Sequence, residues 1–91
     1  MNVYEYEAVI AATKGGEVVQ EIEVCAEVER VPRYVDESRI AFEYDSEIVR
    51  ASGVDVATGE ELDEWDLLRL FGEYELVQAL QWGDKAPKIE I

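Results

Sequence analysis

Carboxylates are the side chains most available for chemistry in this sequence. The 91 residues carry 22 Asp and Glu against 8 Lys and Arg, a formal net charge of −14, and there is no histidine. Without imidazole, the commonest general base and the commonest metal ligand are both missing. Ser-His and Cys-His nucleophile pairs cannot be assembled. The single cysteine, Cys25, excludes zinc sites built on two or more thiolates. Gly15-Gly16 is followed by Glu17 rather than Lys-Ser/Thr, so it is not a phosphate loop. The stretch from Asp55 to Asp66 lacks the Asp/Asn alternation and glycine that open a calcium loop. Paired carboxylates do acid–base work in glycosidases, where an apolar pocket tunes the acid. Carboxylates on a solvated strand face have no such pocket. The composition predicts no enzyme, no cofactor and no dedicated metal site.

What distinguishes these acids is their spacing. From Glu17 to Glu29, even positions hold Val18, Ile22, Val24, Ala26 and Val28, and odd positions hold Glu17, Glu21, Glu23, Glu27 and Glu29. Strand side chains alternate between faces, so this run predicts an apolar ridge backed by a carboxylate row. Residues 3–12 follow the same grammar, with Tyr4, Tyr6, Ala8 and Ile10 against Val3, Glu5, Glu7 and Val9. A third strand is expected from about Arg39, with Ile40, Phe42 and Tyr44 against Ala41, Glu43 and Asp45. Pro32, Asp36 and Ser38 should break the chain between strands two and three, near Arg30.

Register decides whether these acids share one face. A two-residue Gly15-Gly16 loop would set odd residues opposite even ones and place tyrosines across from glutamates. A three-residue loop, Lys14 to Gly16, pairs odd with odd and is the expected connection. It would put Glu7 opposite Glu23, Glu5 opposite Cys25 and Val9 opposite Glu21.

After Gly53 the period changes from two to 3.6. Thr58-Gly59-Glu60-Glu61 fits a capping box at a helix start. Leu62, Trp65, Leu68 and Phe71 then recur at helical spacing, with Leu67 and Leu70 widening the stripe and Trp65 expected in the core, and Gly72 ends the helix. A second helix is expected over 73–82, with Leu76, Val77 and Leu80 inward and Trp82 divided between core and interface. Residues 85–87 read as a linker and Lys88 to Ile91 as a short edge strand. The predicted fold is α+β in a single domain: a three-stranded antiparallel meander (1–56), a helical hairpin on its apolar face (57–83), and a tail or fourth edge strand (84–91). One layer of helices covers one face and leaves the acidic face open.

The candidate binding surface comprises Glu5, Glu7, Glu21, Glu23, Glu27, Glu29, Glu43 and Asp45. Its charge repels phosphate backbones and anionic membranes, so neither nucleic acid nor membrane is expected as a direct partner. The second helix has no basic residue, which removes a DNA-reading helix-turn-helix. A basic protein, including a nucleic-acid-binding one, is the complementary partner. Same-face residues repeat every ~6.8 Å on strands ~4.8 Å apart. DNA carries a charge every ~3.4 Å per strand, so two adjacent rows approach that density. Small acidic phage inhibitors of restriction and CRISPR systems work in this general way; the likeness is of charge and size, with no shared motif. The sequence therefore predicts a non-enzymatic acidic binding protein, an inhibitor that mimics nucleic acid being one form. The alternative is a structural or assembly component, including a homo-oligomer, using Trp82, Tyr74, Tyr34 and strand edges. High negative charge also serves solubility or salt adaptation alone. Cysteine usage and the lack of a basic-then-apolar leader or a membrane-length apolar run predict a cytoplasmic protein.

Overall fold

The structure, a computed structural model, describes residues 2–36, 41–82 and 87–91, with side chains over 3–30, 46–81 and 87–91. Its elements in chain order are β1 (Asn2–Lys14), β2 (Glu17–Asp36), β3 (Ala41–Asp55), β4 (Glu61–Leu62), α1 (Glu64–Phe71), α2 (Glu73–Trp82) and β5 (Lys88–Glu90). The fold is α+β: a five-stranded sheet in the order β4-β3-β2-β1-β5 with both helices packed against it. The expected meander is its centre, and the expected edge strand is β5. Two features are additional. β4 adds a short pairing beyond β3, and β5 runs parallel to β1, pairing with Ala11 to Thr13.

The Gly-Gly connection corrects the expected loop. Lys14 pairs with Glu17, so the loop has two residues, Gly15 and Gly16, with φ of +61° and +83°. Positive φ at both central positions is what a type I′ turn requires, and its twist matches that of the flanking strands. The parity problem is resolved elsewhere. Thr13 pairs with Val18 but Ala12 pairs with Gln20, leaving Val19 as a bulge. From there odd faces odd and Ile10 meets Ile22. Turn chemistry and hydrophobic pattern are both satisfied, at the cost of one unpaired residue.

β2 also continues past Arg30, where a break was expected, and carries Pro32 across from Tyr44. The alternation explains why proline is tolerated. The Glu21 carbonyl accepts from the Val56 N–H, so odd β2 residues turn their backbone groups toward β3. Pro32 is even and turns its backbone away from β3, so its missing N–H removes no bond from that ladder. Of the expected turn residues, Asp36 is the last residue of β2, paired with Ala41, and Ser38 lies outside the described residues. A straight 20-residue strand would span ~66 Å. The molecule's longest dimension is 51 Å, so β2 bends. Register shifts near Val19, at Glu27/Val28 and near Tyr34 accompany that bend.

The core lies between the even face of the hairpin and the helices. Ile10, Ile22, Val24, Leu67 and Leu76 are fully buried, joined by Ala12, Phe71 and Ile89. Of the expected ridge, Ile10, Ile22, Val24 and Val28 are buried, whereas Tyr4 stays 43% exposed. Ile40, and the side chains of Phe42 and Tyr44, lie outside the described set. Gly53 lets α1 approach: a Cβ there would stand 2.8 Å from Ile22 Cγ2 and 3.1 Å from Leu67 Cδ2.

The start of α1 is a second correction. Its N-cap is Asp63, which accepts from the Asp66 N–H at 2.8 Å while Asp66 accepts from the Asp63 N–H. Thr58 belongs instead to a turn held by Asp55, whose Oδ1 accepts from the Ala57 and Thr58 amides at 2.8 and 3.0 Å. The fully buried positions of α1 are Leu67 and Phe71, both within the expected stripe. Trp65, two residues before Leu67 and so ~200° around the helix, is 69% exposed rather than in the core. The Trp82 side chain lies outside the described set.

Candidate functional site: the open sheet face

With the helices on the even side of the hairpin, the odd side is open. Glu5, Glu7, Glu21 and Glu23 are exposed on it, and Glu27 and Glu29 are half-buried. The sequence therefore identified these six side chains as one surface, but not their neighbours. Glu5 lies across from Glu27, Glu7 across from Cys25, Val9 across from Glu23 and Ala11 across from Glu21. Each pairing is two residues along β2 from the expected one, because the two-residue turn plus the Val19 bulge replaces the three-residue loop.

The expected contribution of β3 is also altered. Near the helices, Arg50, Ser52 and Val54 lie beside Glu27, Cys25 and Glu23. The row there holds one cation, one hydroxyl and one apolar residue. Beyond the Val49 bulge the parity changes, and Glu47 stands across from Glu29. Glu43 pairs with Arg33, and Asp45 with Val31, in the backbone register. Their side chains, with those of Arg33 and Tyr34, lie outside the described set. Glu47 and Arg50 are members of the face that sequence reasoning missed. Only a bulge at Val49 gives residues 47 and 50 a common face, and no glycine or proline signals it.

Glu5, Glu7, Cys25, Glu27, Arg50 and Ser52 line an open depression of about 460 Å³. The size falls in the small-ligand range of roughly 300–1,000 Å³, but such sites are mostly apolar and enclose their ligand. With Tyr6 and Ala26 the lining comprises eight residues, and four of them are carboxylates or a guanidinium, which suits a charged macromolecular surface better. Cys25 donates its S–H to Glu7 Oε1 at 3.3 Å. That hydrogen bond, then burial and the charges of Glu7 and Glu23, raise the thiol's pKa. The thiolate, which is the nucleophile, is thus disfavoured.

The carboxylates with lowered pKa have structural partners; Glu90, beside Thr13, stands at the β5 end of this face, and Asp55 and Asp66 lie off it. Asp55 is held down first by the Thr58 amide and then by the side-chain amide of Gln20, which donates at 2.8 Å. Glu90 is held down first by the Thr13 hydroxyl and then by the Gly15 amide, each at 2.5 Å. Asp66 is lowered first by its capping bond to Asp63 and next by Arg69. Among the described residues no group of three or more Asp, Glu or Cys side chains is arranged to hold a metal ion. No helix there is long and apolar enough to cross a membrane. Compared with family models, curated proteins and solved structures, the chain matches none.

Proposed function

We propose that this chain is a non-enzymatic binding protein whose open acidic sheet face engages a basic protein surface, in the manner of a nucleic-acid mimic. The observation that carries this reading is the placement of Glu5, Glu7, Glu21, Glu23, Glu27 and Glu29 on the single face that the helices leave open. Acids also line the helices, among them Glu64, Glu73 and Glu75, and charge spread in that way serves solubility. It does not require opposed rows, since directly opposed carboxylates such as Glu5 and Glu27 weaken a sheet. Along β2 the acids recur at ~6.8 Å, interrupted once by Cys25, and Glu5 and Glu7 form a second row ~4.8 Å away. A basic groove that follows a phosphate backbone meets comparable charge there.

The test is affinity capture with the wild-type chain and with a Glu21→Gln, Glu23→Gln, Glu27→Gln triple variant. The expected partner is a basic protein that the wild type retains at about 50 mM salt and releases toward about 500 mM. The triple variant should fail to retain it. Capture that ignores salt, or that survives the triple substitution, would sink the reading.

A second reading, an assembly component, draws on different residues. Trp65 and Tyr74 are 69% and 72% exposed on the helices. Exposed aromatic side chains of this size are enriched at protein contacts. Sedimentation at low and high salt separates the two readings. A stable oligomer lost on Trp65→Ala or Tyr74→Ala, with the acidic face unoccupied, favours assembly.

A further inference from the structure

We infer that the outer edge of β1, from Val3 to Val9, receives an extended basic segment of the partner as an added strand. The inference rests on the proposed role of the acidic face and states how a partner would reach it. Among the described residues, only β5 pairs with that side of β1, and it covers no more than Ala11 to Thr13. Among the described residues, nothing pairs with the rest of the strand's outer edge.

The direction of its backbone groups follows from the part that is covered. The Ala11 N–H donates to the Pro87 carbonyl at 3.0 Å, and the Thr13 carbonyl accepts from the Ile91 N–H at 2.8 Å. Odd residues of β1 thus point their peptide groups outward. The β1–β2 ladder has no register shift between Asn2 and Ala12, so the alternation carries back to Val9, Glu7, Glu5 and Val3. Four residues offer N–H and C=O groups to a newcomer, over seven residues or ~23 Å.

Natural sheets guard such edges with proline, bulges, charged side chains or a covering element. Val3 to Val9 has no proline or bulge, and its only charges, Glu5 and Glu7, repel an acidic strand but not a basic one. The opposite edge, on β3, is interrupted by the Val49 bulge and partly covered by β4. β1 is therefore the better template, and β5 already uses its continuation.

Charge complementarity selects the occupant. Side chains of an added strand on the open face would stand beside Glu5 and Glu7, with Glu27 one strand further in. Those positions call for lysine or arginine. Side chains on the other face would stand beside Tyr4, Tyr6 and Ala8, which are exposed or half-buried and accept apolar groups. A segment alternating basic and apolar residues satisfies both rows. A second copy adding β1 to β1 does not, because it brings Glu5 and Glu7 of each chain against those of the other.

A fluorescent heptapeptide of alternating Lys and Val serves as the probe, with binding read by anisotropy. Two further versions carry N-methyl groups, one on the Lys amides and one on the Val amides. The parent peptide should bind in a salt-sensitive way, and one methylated version should bind about tenfold or more weakly, since several backbone bonds are lost together. Val9→Pro removes one outward N–H while keeping every carboxylate, and should weaken the parent peptide by a smaller factor, a few-fold for the one bond lost, with circular dichroism confirming the fold. Equal binding by all three peptides to the wild type overturns edge addition and leaves the acidic face standing. Binding that Glu5→Gln, Glu7→Gln leaves unchanged overturns the acidic face itself. A peptide-free dimer abolished by Val9→Pro overturns the basic occupant in favour of a second copy.

Discussion

Glu5 and Glu27 stand directly across from one another in the β1–β2 ladder. Odd residues of β1 direct their backbone groups away from β2, so this is a non-hydrogen-bonded pair, the closer of the two antiparallel geometries. Like charges so placed destabilise a sheet by a few tenths to about 1 kcal/mol. Glu5→Gln should therefore raise stability in urea unfolding by an amount in that range. The same substitution should weaken binding of the cationic peptide. Opposite signs from one change separate a binding role from a folding role; a loss of stability on Glu5→Gln would contradict the pairing.

Acid should unfold the protein through Asp55, Asp66 and Glu90. Each is held below the ordinary carboxylate range by hydrogen bonds in the folded state. A lowered folded pKa gives stability that is full above the unfolded values, ~3.9 for Asp and ~4.3 for Glu, and is lost as pH falls through the folded values. The acid limb of the melting temperature should begin near pH 4 and steepen below it. Glu90→Gln should flatten that limb and lower the melting temperature at pH 7. An unchanged acid limb would mean that the clamp on Thr13 and Gly15 is not formed.

Gly53→Ala should cost about 1–3 kcal/mol, because the added methyl meets Ile22 at 2.8 Å and Leu67 at 3.1 Å in a close-packed layer. Gly16→Ala tests a different mechanism, since nothing stands within 4 Å of its Cβ and its φ of +83° is the difficulty. A double change of Gly53→Ala with Leu67→Val should recover part of the first loss in thermal melts. No recovery would place the clash elsewhere.

Cys25 should alkylate slowly at pH 8 with iodoacetamide, its thiolate disfavoured by the hydrogen bond to Glu7 and by nearby carboxylates. Glu7→Ala removes the first cause and should shift the pH profile of alkylation to lower pH. Identical profiles for the two proteins would show that the Sγ–Oε1 contact does not persist in solution.

The alternation over 17–29 was sufficient to define a two-faced strand, and from Glu21 to Glu29 its acids do occupy one side. Before the Val19 bulge the faces exchange, so Glu17 pairs with Lys14 on the even side and the expected ridge residue Val18, 48% exposed, with Thr13 on the odd one. Residues 73–82 and 88–90 were legible for similar reasons: helical spacing in one case, and a short polar-apolar alternation after Pro87 in the other. The helix start was not. Thr58 and Glu61 satisfy the local rule for a cap, but Asp55 captures the Thr58 amide and is itself oriented by Gln20, 35 positions away. A local pattern lost to a tertiary partner.

By itself, then, the sequence determined the periods: where side chains alternate by two, where by 3.6, and which of them carry charge. Those are properties of neighbouring residues and need no knowledge of what packs on them. Tertiary structure alone decided the pairings. One unpaired residue at Val19 reconciles a two-residue turn with an odd-odd ladder, and another at Val49 brings Arg50, Ser52 and Val54, rather than Ala51, Gly53 and Asp55, onto the open face. A bulge changes which residues meet without changing the pattern on either strand. The face is acidic because of its sequence, and what stands beside each carboxylate is set by two bulges that leave no local mark.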